Sequence, residues 1–144
     1  MLPRYYCKLQ ALQHWKILNE RRRPCPPSRQ FSDSIRNISQ CLKPGGLLLF
    51  RDYGHLDDSQ LHLLPSCVKD RGRILDDNTY VKQDGTICHY FSLEEVKELF
   101  VQAGFDILEL EFIHRQYCNR AQGKARRRIW CHGKFRKKVP NPER

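Results

Sequence analysis

The segment from Leu42 to Gly54, Leu-Lys-Pro-Gly-Gly-Leu-Leu-Leu-Phe-Arg-Asp-Tyr-Gly, restricts the fold more than any other part of this chain. Pro44-Gly45-Gly46 cannot continue a helix, so a preceding helix must stop there. Leu47 to Phe50 is then a short unbroken apolar run. That is the pattern of a strand covered on both faces in a largely parallel sheet. Polar chemistry starts at once with Arg51-Asp52-Tyr53-Gly54, at the carboxyl end of the strand, where open α/β sheets hold their ligands.

The flanks agree with an α/β fold. Upstream, Ser32 or Asp33 caps a helix with Ile35, Ile38 and Leu42 along one face. Downstream, Ser92 and Glu95 form a capping box, Phe91 and Val96 a hydrophobic staple, and Gly104 stands where a C-terminal cap belongs. The buried face of that helix is Leu93, Val96, Leu99, Phe100 and Ala103. Phe105 to Ile113 reads as a strand with Leu108, Leu110 and Phe112 on one face. Arg128 to Arg136 reads as another, with Ile129, Cys131, Gly133 and Phe135 on one face and Trp130, His132 and Lys134 on the other. Arg115 to Arg127 reads as a polar, basic linker. Residues 55 to 90 form an excursion in which 78–82 and 86–90 pair as a hairpin around Asp84-Gly85.

A length of 144 residues suits one domain. The division expected is a basic, poorly ordered extension over 1–31, a domain over 32–138 and a tail over 139–144. Tyr5, Leu9, Leu12 and Trp15 give the extension one short amphipathic helix and no strand-like run. The net charge of +10 is segregated, with 7 basic and 1 acidic residues in 1–31, 8 and 14 in 32–113, and 11 and 1 in 114–144. A basic end on an acidic body points to a polyanion, and RNA fits better than a membrane because neither basic end carries a long apolar face. No run approaches the twenty or so apolar residues of a membrane span. Seven scattered Cys without a CxxC pair read as reduced thiols of an intracellular protein. Cytoplasm is the expected compartment, and the Arg-rich start makes the mitochondrion the alternative. The His and Cys show no metal-ligand spacing, so no metal is expected.

The run of helix, Leu42-to-Gly46 turn, buried strand and capped helix ending in Ala103-Gly104-Phe105 resembles the later half of class I methyltransferases, namely the fifth strand, last helix, and sixth and seventh strands. Phe50-Arg51-Asp52-Tyr53-Gly54, Tyr80-Val81, Asp84-Gly85-Thr86, Tyr90-Phe91-Ser92, Arg128-Ile129-Trp130 and Lys134-Phe135 are similar to the methyltransferase-like family that makes 3-methylcytidine in tRNA anticodon loops. The likeness covers about Ser32 to Lys138. Two positions depart from it, since the family usually has Arg where His62 and Ile87 stand here.

The resemblance implies a Rossmann-like sheet, S-adenosylmethionine as methyl donor, and a cytidine ring nitrogen of a tRNA anticodon stem-loop as acceptor. It assigns Arg51, Asp52 and Tyr53 to catalysis, with Asp52 accepting from the cytosine amino group or an Arg and Tyr53 stacking. Gly54, Asp84 and Thr86 are assigned to the substrate pocket. Arg120, Arg126, Arg127, Arg128, Trp130 and Lys134 are expected on the RNA. No cofactor-binding residue is assigned, because no GxGxG turn occurs in the sequence and only 31 residues precede Ser32, leaving no room for the first four strands. The expected function is therefore a tRNA methyltransferase in truncated, inactive form. The alternative is a non-catalytic module that binds RNA or a protein partner.

Overall fold

The computed structural model describes residues 6–10, 27–64, 73–82, 85–119 and 123–140. Its main sheet has the order β1-β2-β7-β6, built from β1 (Tyr6–Gln10), β2 (Leu47–Tyr53), β6 (Phe105–Asn119) and β7 (Lys124–Lys137). β1 and β2 are parallel, with Tyr6 opposite Leu47, and the β2–β7 and β6–β7 pairings are antiparallel. Helices α1 (Pro27–Cys41) and α3 (Leu93–Gln102) supply the core with Phe31, Ile35, Val96 and Phe100. These meet Leu48, Phe50, Phe105, Cys131 and Phe135 of the sheet. The Phe100 and Phe135 rings stack with centroids 3.8 Å apart, and Phe135 folds over Gly133, where a Cβ would lie 2.4 Å from its ring.

Between β2 and α3 lie α2 (Asp58–Leu61) and a small antiparallel sheet of β3 (Arg73–Asp76), β4 (Thr79–Val81) and β5 (Ile87–His89). The β4–β5 hairpin has the expected partners, Tyr80 facing Cys88. Its buried Tyr80, Cys88 and Tyr90 make a second cluster against Tyr53.

Helix α3 forms as its capping signals dictate. Ser92 Oγ accepts the Glu95 backbone N–H at 3.1 Å, Val96 and Phe100 are fully buried, and Gly104 takes a φ of 84°. Glu95 departs from a capping box, since its carboxylate goes to His89 Nε2 at 2.9 Å.

Five expectations need correction. Residues 6–10 are a strand where helical spacing had been read, because five residues are too few to separate the two periods. If β2 holds the fifth place of the methyltransferase sheet, β1 holds the fourth, so one more strand is present than expected. Helix α1 begins at Pro27 rather than at Ser32, with Pro in the first turn where its missing N–H costs nothing. β2 alternates between buried and half-buried residues and so, among the described residues, is covered by helices on one face only. The supposed linker over 115–127 is instead the outer part of a long β6–β7 hairpin. Finally, a bulge between Ile107 and Glu109 turns Leu108 outward to 37% exposure and packs Ile107 on the core.

Candidate functional site

Period-two alternation decides which residues can meet at the end of β2. Leu48, Phe50 and Asp52 point into the helix-covered side, and Asp52 is 2% exposed. Arg51 and Tyr53 point to the opposite, open face. The strand therefore brings Arg51 and Tyr53 together and sends Asp52 away from them. Asp52 Oδ1 accepts the backbone N–H of Tyr53 at 2.7 Å.

Antiparallel partners share a face, so Tyr53 lies beside Trp130 and Arg51 opposite His132. The Tyr53 ring is 5.0 Å from Trp130 and stacks on Tyr90 at 5.7 Å. The Arg128 guanidinium lies 4.7 Å over Tyr53 and 5.7 Å from the Trp130 ring, and Arg51 lies 4.6 Å over Trp130. Lys82 reaches within 6.0 Å of the Tyr53 ring. These are cation–π distances. Arg51 Nε and Trp130 Nε1 are buried without a hydrogen-bond partner among the described residues.

Asp57 organises the cluster. It is fully buried, and its Oδ2 accepts the Ile129 N–H at 2.8 Å and lies 3.1 Å from Arg128 Nε. The latter is an ion pair by distance, with the N–H not aligned for a hydrogen bond. Its Oδ1 accepts the Ser59 N–H at 2.9 Å and the Ser59 hydroxyl. Since the Ser59 proton is used on Asp57, the Tyr90 hydroxyl is the donor in its 2.9 Å contact with Ser59 Oγ. Burial pushes the Tyr90 phenol above its ordinary range.

Gly54 has a packing reason. A Cβ there would lie 2.8 Å from the Phe112 ring and 2.9 Å from Ile129 Cγ2. Thr86 accepts the Lys82 N–H through its carbonyl at 2.9 Å, while Asp84 lies outside the described residues.

The β6–β7 register sorts the basic residues by face. Arg115 opposes Arg128 and Tyr117 opposes Arg126, continuing the face of Trp130 outward along the hairpin. Arg127 opposes Gln116 on the other face, and a groove of about 640 Å³ is lined from both faces, by Arg127, His114 and Ile129 together with Arg115 and Arg128. Lys134 is on the Trp130 face but paired with Glu109 at 3.1 Å. Arg120 lies outside the described residues.

Sequence reasoning missed Asp57, Tyr90 and Lys82. Asp57-Asp58-Ser59 carries a helix-capping signature, and Asp57 does cap α2. Its bond to Ile129, 72 positions away, has no local signal. Phe112 and Ile129 fill the approach to Gly54, the glycine at the ligand end of β2, so this glycine does not lie open to S-adenosylmethionine.

Residues 9–110 match the family model described as a methyltransferase domain. The chain is 41% identical over 103 residues to the tRNA N(3)-methylcytidine methyltransferase Mettl2 of Drosophila melanogaster, covering 72% of this chain and 30% of that protein. It is 37% identical over 108 residues to the tRNA N(3)-cytidine methyltransferase METTL6 of Mus musculus, covering 75% and 36%. It is also 35% identical over 115 residues to O-methyltransferase 3 of Dictyostelium discoideum, covering 79% and 25%. The chain thus spans about a third of the length of the curated relatives it matches. A crystal structure of a SAM-dependent methyltransferase from Methanosarcina mazei shares the fold, with a TM-score of 0.52 at 21% identity over 78% of this chain and 53% of that one. The family match runs from the end of β1 through α1, β2 and α3 into β6, more than half of the chain, and the chain belongs to the methyltransferase-domain family.

Proposed function

We propose that the protein acts in S-adenosylmethionine-dependent methylation of cytidine N3 in tRNA, and that this chain supplies the RNA-facing end of the site. The observation that carries the reading is the cation–aromatic cluster of Arg51, Tyr53, Arg128 and Trp130 at the carboxyl end of β2. Relatives at 37–41% identity bear the names of tRNA N(3)-cytidine methyltransferases. Cytosine N3 is a nucleophile once its proton balance is right, and the sulfonium is an activated donor. The work left for the protein is positioning and charge placement rather than a covalent intermediate. When bound, S-adenosylmethionine supplies the electrophilic methyl group; this chain's residues hold the RNA. The tRNA anticodon stem-loop is the proposed substrate and the cytoplasm the proposed compartment.

A second reading is favoured by the lack of a GxGxG turn anywhere in the sequence. In it the 144-residue chain is catalytically inactive by itself and serves as an RNA-binding module, or one completed by a partner protein. Titration calorimetry with S-adenosylmethionine, and with a tRNA anticodon stem-loop at two salt concentrations, separates the two. Cofactor binding with methyl transfer to cytidine supports the enzyme reading for this chain. Salt-dependent RNA binding without cofactor binding supports the module. Absence of RNA binding removes both.

A further inference from the structure

We propose that Arg51, Arg128 and the Trp130 indole form a phosphate subsite on the open face of the main sheet. That the phosphate belongs to an RNA backbone beside the target nucleotide rests on the function proposed above. The subsite itself rests on charge and on buried donors.

The charge is unbalanced. Arg51 lies 4.6 Å over the Trp130 ring, Arg128 lies 5.7 Å from the same ring, and Lys82 approaches Tyr53 beside them. Among the described residues one carboxylate, Asp57, reaches this group, and it is engaged by Arg128 and the Ile129 N–H. Arg51 makes no ion pair among the described residues. Holding guanidinium groups near one another is unfavourable until an anion joins them.

The donors are independent of that argument. Arg51 Nε and Trp130 Nε1 are both buried without an acceptor among the described residues. Neither group can accept a hydrogen bond, so they cannot satisfy each other. Buried polar groups are normally paired, and these two offer donors only, beside a carboxylate that is already engaged. Their complement is an oxyanion, bound by charge-assisted hydrogen bonds.

The same face selects phosphate over a lone carboxylate. Beyond Trp130 it continues with Arg115, Tyr117 and Arg126, and Tyr117 is 52% exposed. Alternating cations and an open aromatic ring suit a chain of phosphates and bases.

The test uses Trp130 fluorescence in the full chain with Trp15→Phe, since Trp15 and Trp130 are the two tryptophans. Inorganic pyrophosphate and an anticodon-loop oligonucleotide are titrated separately, with oligonucleotide binding also read by anisotropy. Both ligands should change Trp130 emission saturably. Arg51→Met should weaken each about ten-fold and lower the salt slope for the oligonucleotide by about one. Arg51→Lys should fall between, since it keeps the charge but loses the planar fork; it carries the comparison if circular dichroism finds Arg51→Met unfolded. Oligonucleotide binding with silent Trp130 emission and no effect of the Arg51 variants overturns the subsite and leaves the RNA reading standing. A saturable, Arg51-dependent pyrophosphate response without oligonucleotide binding sustains the subsite and overturns the RNA reading. Silence toward both ligands overturns the subsite.

Discussion

Asp57 Oδ2 lies 3.1 Å from Arg128 Nε, and the same oxygen takes the backbone N–H of Ile129 at 2.8 Å. One fully buried carboxylate thereby holds both the backbone of β7 and the guanidinium that covers Tyr53. Because Ser59 links Asp57 to Tyr90, the same carboxylate also sets the ring stacked on Tyr53.

Asp57→Ala should destabilise the fold by about 3 kcal/mol, since it leaves two backbone donors without their acceptor and a half-buried cation without its partner. Asp57→Asn keeps an acceptor and should cost less. Urea denaturation measures both, and an unchanged midpoint for the alanine variant would contradict the role given to Asp57.

Lys137 closes the C-terminal end of α1, where Nζ donates to the carbonyl of Leu42 at 2.7 Å and to that of Ser39. The Ser39 carbonyl also takes the Leu42 N–H at 3.3 Å, a long bond, and the Leu42 carbonyl lies past the last helical residue; the positive charge also meets the negative end of the helix dipole. Lys137→Met should therefore cost about 1–2 kcal/mol. The check is thermal melting of the two proteins side by side.

Stability should fall in alkaline solution. Burial, with lesser contributions from Asp52 and Glu95, pushes the Cys131 thiol from 9.0 up to about 12. Burial raises Tyr90 above its ordinary 10.0 as well. For both groups the folded pKa exceeds the unfolded one, so the native state retains protons that the unfolded chain releases. The stability they confer is fully present below pH 9.0 and is lost as pH rises toward about 12. Denaturation at pH 7, 9 and 10.5 should show the decline, and Cys131→Ala should make it shallower by about one proton.

The two faces of the β6–β7 hairpin should differ toward RNA. Tyr117→Ala removes an exposed ring from the Trp130 face, and loss of one base stack is worth about 1–3 kcal/mol. Arg127→Ala, on the other face, should affect the affinity less than Arg126→Ala, although both remove one charge. Anisotropy with a labelled anticodon stem-loop compares them. Equal losses from Arg126 and Arg127 would mean that net charge, not the face, governs binding.

The sequence by itself determined the elements whose signals are local. Helix α3 follows from Ser92, Val96 and Gly104, the turn before β2 from Pro44-Gly45-Gly46, and the β4–β5 hairpin from the Asp84-Gly85 pair. In each, the residues that specify the conformation lie within a few positions of one another, so propensity and period suffice. Alternation likewise assigned Cys131, Gly133 and Phe135 to one face of β7 and Trp130, His132 and Lys134 to the other. Tertiary structure decided whatever depends on distant pairing. β1 exists because β2 offers it a parallel edge, and residues 115–119 and 124–127 are strand because each arm satisfies the other's backbone. That Asp52 is the buried one and Arg51 and Tyr53 stand on the open side follows from which face α1 and α3 cover, and the burial of Asp57 from the arrival of Arg128 and Ile129. Such contacts join residues far apart in the chain, and a local pattern carries no record of them until the sheet closes.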